Sequence, residues 1–195
     1  MKIIGVSGTN GSGKDTIGHL LAERHNWLFI SMTDMLRDEL EKRGLPPARE
    51  HMRELSAEWR RESGLGVLID KSVAQFEKTP GKYNGLVVAS LRNPGEADRI
   101  HELGGQVVWV DADPLVRYDR LQANPGSRGE RRAVDDNKTF EQFLKEQEAE
   151  MQHSGDAATL SIGDVKTKAD IFLDNNGDDI EAFKDEAEKA LNLLS

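Results

Sequence analysis

Residues 6 to 21 read VSGTNGSGKDTIGHLL, and their spacing suits the handling of a phosphate chain. Gly8, Gly11 and Gly13 give the backbone the freedom to curl around an anion with its N–H groups inward. The spacing Gly8-x-x-x-x-Gly13-Lys14 then supplies an ammonium group that reaches the outer phosphates and follows a moving phosphoryl group. Asn10 and Ser12 complete the loop, and the helix expected from about Gly13 turns its positive end toward the same anion. After such a lysine a hydroxyl usually holds magnesium, but here Asp15 takes that place and Thr16 follows one step later. Magnesium accepts carboxylate oxygens readily and retains several waters, so Asp15 can preserve metal binding with a changed geometry. The plainer readings are a strand-to-helix turn for the glycines and electrostatic support of the first helical turn for Asp15.

Three further groups could act on an anionic ligand. Asp34 and Arg37 lie three residues apart and share a helix face. An arginine there can grip an acceptor's phosphate bidentately while Asp34 orients or accepts the proton of the attacking oxygen; a capping Asp in a local ion pair is the structural alternative. Arg92 follows LVVAS, at the carboxyl end of a parallel strand, where open α/β sheets bind ligands. Arg117, Arg120, Arg128, Arg131 and Arg132 crowd into sixteen residues of a chain whose formal charge is −9. An acidic average with one basic segment points to a compact anionic ligand and disfavours nucleic acid, whose backbone such a surface repels.

The elements that must carry these residues alternate between strand and helix, as in a parallel sheet flanked by helices. KIIGVS predicts the first strand, WLFIS (27–31) the second, LVVAS (86–90) the third, QVVWVDA the fourth and DIFLDN the fifth. Helices are expected after the loop, over DMLRDELEKRG, from Pro46 and Pro47 to about Glu62, over LGVLIDKSVAQFEK, and through Ile100 and Leu103. Others are expected over DPLVRYDRLQA with Pro114 in its first turn, over 139–152, and over DIEAFKDEAEKALNLL. Residues 124–135, NPGSRGERRAVD, lack an apolar period and predict a mobile excursion.

With 195 residues, 37% hydrophobic and 31% charged, the chain suits one globular α/β domain with a sizeable core. It has no cysteine, which excludes disulfides and thiolate metal sites. No apolar run approaches membrane-spanning length, and KIIGVSG lacks the regions of a secretion signal, so a cytoplasmic protein is expected. The five histidines have no metal-ligand spacing, and Trp27, Trp59 and Trp109 are expected to pack. DNNGDD (174–179) is expected to be a turn before the last helix and not a calcium loop.

Taken together, the chain resembles the nucleoside monophosphate kinase group of P-loop phosphotransferases over nearly its whole length. SGKDT is similar to the variant loop of deoxynucleoside monophosphate kinases and phosphomevalonate kinases, ISMTDMLRDEL (30–40) to an adenylate kinase stretch with Thr33 in place of Gly, and SLRNPGEADRIHELGGQVVWVDAD (90–113) to a segment of the GKDT kinases. The resemblance implies a three-layer P-loop NTPase fold with a parallel five-stranded sheet, a helical acceptor-binding region over about 34–78 and an Arg-rich lid over about 124–136. It implies ATP and Mg2+ as cofactors and a small phosphorylated acceptor, most simply a nucleoside or deoxynucleoside monophosphate, held by Asp34, Arg37 and Arg92. Lys14 with Arg128 and Arg132 of the lid would stabilise the transferring group, Arg120 would sit at the lid's root, and Asp135 and Asp136 would orient the lid arginines. The turn at 174–179 would border the adenine.

One departure stands out. Related kinases carry an Asp at the end of the third strand, whereas Ala89 and Ser90 occupy it here. Asp15 is the better replacement for that missing charge, and Asp111, at the end of the fourth strand, the lesser one. Dephospho-CoA kinase shares this architecture and is the rival enzyme, with Asp34 as base toward a ribose hydroxyl. A nucleotide-binding switch or sensor without transfer is the rival of another class. The sequence gives no handle on oligomeric state.

Overall fold

The computed structural model describes residues 1–123, 138–152 and 155–193. The excursion expected over 124–135, with Arg128, Arg131, Arg132 and Asp135, and Asp136 after it, lies outside the described residues.

Five strands form one parallel sheet: β1 (Ile3–Gly8), β2 (Leu28–Ser31), β3 (Leu86–Ala89), β4 (Gln106–Asp111) and β5 (Ile171–Asp174), in the order β2-β3-β1-β4-β5. The three inner strands are apolar runs because helices cover both faces. Period-two alternation divides them between two cores. Ile3, Leu86, Val88 and Val107 face one side, while Ile4, Val6, Val87, Ala89, Val108 and Val110 face the other.

On the second side lie α1 (Lys14–His25) and α9 (Ile180–Ala190), which bury Ile17, Leu20, Leu21, Phe183 and Ala187. Arg24 at the end of α1 ties this pair together through Glu181, Asp185 and Glu188 of α9. The first side carries α2 (Met32–Lys42), α3 (Arg49–Ser63), α4 (Val67–Glu77), α5 (Pro94–Glu102) and α8 (Ile162–Thr167). The remaining described helices are α6 (Pro114–Ala123) and α7 (Phe140–Met151). Trp27, Trp59 and Trp109 are all buried, as packing residues should be.

Most expected elements appear within two residues of their expected ends, and the departures have local causes. The third helix starts at Arg49, beyond Pro46 and Pro47, so the prolines lie in the approach and not in the first turn. The last helix ends at Ala190, short of Leu193. The short helix α8 was not expected: six residues are too few for a helical period to show, and burial of Ile162 and Val165 holds it in place.

The strand order places the functional end. The helices that follow neighbours β1 and β3, α1 and α5, lie on opposite faces, so a crevice opens at the carboxyl ends of these two strands. The loop after β1 and the residues after β3 both arrive there.

Candidate functional site

The loop between β1 and α1 is built by close approach. At Gly8 φ is 151°, and a Cβ there would lie 2.1 Å from the carbonyl oxygen of Val110 in β4, so a side chain cannot fit. At Gly13 φ is 95°, and a Cβ would fall 2.4 Å from Nδ2 of Asn175. That amide donates to the carbonyl oxygen of Ser12 at 2.9 Å. Asn175 follows β5 and lies in the turn expected over 174–179, but its hold on the loop has no signal in the sequence.

Two more braces come from β4 and α6. Thr9 Oγ1 donates to Oδ1 of Asp111 at 2.8 Å. Arg117 is wholly buried behind the loop, where Nε donates to Ala112 O at 2.7 Å and Nη1 to Asn10 O at 3.3 Å. Burial pushes this guanidinium's pKa down, and Asp111 and Asp113 partly offset it. Arg117 was grouped with the basic segment expected to face an anionic ligand. It instead holds the loop from the inside, because its position on α6 faces the loop's underside.

The loop so held leaves its amides available. Among the described residues the N–H groups of Gly11 and Gly13 have no acceptor, and the Lys14 side chain, 8% exposed, reaches the cleft wall. Asn10, Gly11, Gly13, Lys14, Asp15 and Thr16 line that wall, whereas Gly8 and Ser12 sit behind it, Ser12 wholly buried.

The cleft itself has a volume of about 590 Å3. Its far end is made by α2, α3, the turn after β3 and the end of α7. Among the described residues, seven cationic side chains line it (Lys14, Arg37, Arg49, Arg53, Arg60, Arg92 and Arg120) against three carboxylates (Asp15, Asp34 and Glu150), a balance of +4 in a chain of −9. Field lines concentrate in such a recess and draw in anions. Four of the seven, Arg37, Arg49, Arg53 and Arg60, come from α2 and α3, where the sequence shows no single basic run.

Arg37 and Asp34 meet as their spacing predicts, with Arg37 Nη1 donating to Asp34 Oδ1 at 3.0 Å. Ser31 caps α2, accepting from the Asp34 N–H, so Asp34 is not the cap. Arg37 is buried, and its Nε has no hydrogen-bond partner among the described residues. Arg92 borders the cleft as expected, but Nη1 donates to Glu150 Oε2 at 2.7 Å, a partner 58 residues away that no local pattern reveals. Its backbone is fixed from below: Glu96 accepts from the N–H groups of Arg92 and Asn93 and pairs with buried Arg60 at 2.7 Å. Arg120 lines the cleft and donates to the carbonyl oxygens of Asn175 and Gly177, binding α6 to the turn at 174–179.

The residues that could hold a divalent cation can be tested by their chemistry. Ala89 closes β3, and Ser90 after it borders the cleft with φ 74°, so the strand end offers a hydroxyl and no carboxylate. Asp15 and Thr16 border the cleft directly after Lys14, an oxygen set that suits a hard cation retaining several waters. Asp111, the other expected candidate, is excluded from that position. Its carboxylate accepts from Thr9, from Trp109 Nε1 at 3.3 Å and from the Ala112 N–H, and it does not border the cleft.

Comparison with known proteins bears on the family and the fold. The AAA domain family model matches residues 4–148. A UPF0200 protein of Pyrobaculum aerophilum is 30% identical over 98% of this chain and 97% of its own length, and one of Pyrococcus abyssi is 28% identical over 98% and 96%. Among solved structures, shikimate kinase from Bacteroides thetaiotaomicron superposes with a TM-score of 0.61 at 16% identity, covering 97% of this chain and 98% of that one. TT1252 from Thermus thermophilus superposes with a TM-score of 0.54 at 18% identity, covering 99% and 97%. The family match and the shikimate kinase superposition show a P-loop kinase-like fold.

Proposed function

The chain belongs to the AAA domain family and to the UPF0200 proteins, and from that premise we propose that it is a magnesium-dependent phosphotransferase that moves the γ-phosphoryl of ATP to a small phosphorylated acceptor. The observation that carries this reading is the cleft with a phosphate-binding loop at one end and arginines at the other, at a balance of +4 among the described residues. Two anions must approach one another for phosphoryl transfer, and such a lining lowers the cost of bringing them together. The most economical acceptor is a nucleoside or deoxynucleoside monophosphate.

In this reading the Gly11 and Gly13 amides and Lys14 hold the triphosphate, and Lys14 stabilises charge on the transferring group. Arg37 and Arg92 grip the acceptor's phosphate. Asp34, half exposed beside Arg37, orients the attacking oxygen by fixing the guanidinium that holds it. Magnesium, when bound, neutralises the oxygens of the outer phosphates, and Asp15 with Thr16 would hold it. Arg128 and Arg132 are proposed to complete the charge around the transferring group, with Arg120 at the base of their segment.

The Ala89–Ser90 strand end favours one second reading, a nucleotide-binding switch that has lost transfer. Incubation with Mg-ATP and a panel of monophosphates, dephospho-CoA or no acceptor, followed by chromatography, separates these possibilities. A phosphorylated monophosphate is the expected product. Formation of CoA would reassign the acceptor, and tight ATP binding with no product from any acceptor would replace the enzyme with the switch.

A further inference from the structure

The acceptor end of the cleft contains a charge arrangement that the reading above does not use. Glu150, in the last turn of α7, is 9% exposed at its side chain. Its Oε2 accepts from Arg92 Nη1 at 2.7 Å, and its Oε1 from Arg53 Nη2 at 3.2 Å and Arg49 Nη1 at 3.3 Å. Arg49 and Arg53 stand four residues apart on one face of α3, and Arg92 comes from the turn after β3. Guanidinium groups from two separate elements thus converge on one carboxylate carried by a third, and all four residues border the cleft.

Arg49 also meets Glu146 at 3.3 Å, and Glu146 meets Lys138 at 2.7 Å. Among the described residues three guanidinium groups and one carboxylate of this cluster line the cleft wall. Burial alone would raise the Glu150 carboxyl, but Arg92, Arg49 and Arg53 outweigh burial and hold it at about 2, so it is an anion at any working pH. Carboxylate oxygens facing planar guanidinium forks are the arrangement in which arginine binds any oxyanion.

We propose that Arg49, Arg53 and Arg92 form a subsite for a doubly charged oxyanion of the phosphate-monoester kind, and that Glu150 fills this subsite until the ligand's anion displaces it. The proposal rests on the acceptor reading above, and adds two arginines and a built-in competitor to it. The internal carboxylate keeps three like charges together in an empty cleft. It also sets a threshold: a singly charged ligand exchanges one carboxylate for another without gain, while a dianion brings a second negative charge to the three guanidinium groups. Arg53 is 46% exposed and Arg92 23%, so an incoming anion meets them from the cleft side.

The test titrates wild type, E150Q and R53Q by calorimetry at pH 8, first with magnesium ADP and then with inorganic phosphate. Heat with ADP tests the nucleotide reading by itself and fills the loop, so that phosphate added next reports on the arginines. E150Q is expected to bind phosphate at least about tenfold tighter than wild type, and R53Q about tenfold weaker. In wild type, saturating phosphate is expected to speed hydrogen exchange in the last turn of α7. If E150Q melts at lower temperature and binds phosphate no tighter than wild type, Glu150 is only a structural clamp and the proposal fails. It also fails if wild type binds phosphate and α7 keeps its protection, a result that stands even if E150Q does not fold. A missing ADP heat would remove the kinase reading alone, because R53Q leaves the loop untouched and still decides the subsite.

Discussion

Lys14 and Asp15 are adjacent in the chain and divide the proposed work between the phosphoryl group and its metal. Lys14→Ala is expected to lower turnover at least about a hundredfold, the usual cost of removing a preorganised charge from a developing anion. Asp15→Ala is expected to act differently. Nucleotide binding without metal should persist, while the magnesium concentration needed for half-maximal rate should rise about tenfold. Undiminished magnesium-dependent turnover in that variant would show that the acid at this position does not serve the metal. Arg37→Ala should raise KM for the acceptor about tenfold and leave KM for ATP unchanged, since Arg37 lines the acceptor end with a buried Nε lacking a partner among the described residues.

At the scale of elements, the brace of the loop is the more exposed dependency. Asn175→Ala removes the bond to Ser12 O and leaves that carbonyl to water, so about 1 kcal/mol of stability should be lost, read from the urea midpoint, together with weaker nucleotide binding. Glu96 presents the larger case, being fully buried between Arg60 and the N–H groups of Arg92 and Asn93. Removing one partner of such a pair leaves an uncompensated charge, and Glu96→Ala should cost roughly 3 kcal/mol by the same measurement. The elements themselves were largely legible. Apolar runs of four to six residues gave the strands, and turn residues gave their ends. What stayed hidden has a physical cause in each instance. Glu96 reads as an ordinary first-turn acid, Asn175 as a turn residue, and Arg49 and Arg53 as the solvated face of a helix. Their partners lie 36, 163 and about a hundred residues away, and only the packed fold brings them near. The density of arginines around 117–132 was a misleading signal at Arg117, because a buried arginine serving two carbonyls is indistinguishable in sequence from one facing a ligand.

For the whole molecule, charge is distributed against its own average. Among its described residues a chain of net −9 gathers +4 around one cleft, and the acid side of its stability follows from the same cluster. The Glu150 carboxyl titrates near 4.5 in an unfolded chain and at about 2 in the fold, so its stabilising contribution is complete above pH 4.5 and disappears as the pH falls toward 2. That contribution is on the order of 2 kcal/mol, reduced because Arg53 is half exposed and screened by solvent. Urea midpoints measured from pH 6 to pH 3 should therefore drop more steeply for wild type than for Glu150→Gln. The central claim is nonetheless simpler than any of these: the turn between β1 and α1 exists to hold a triphosphate. Calorimetric titration of the folded protein with magnesium ATP measures that directly. A saturating one-site heat, abolished in Lys14→Ala, is the predicted result; no heat from ATP or any other nucleoside triphosphate, with circular dichroism proving the fold intact, would contradict it.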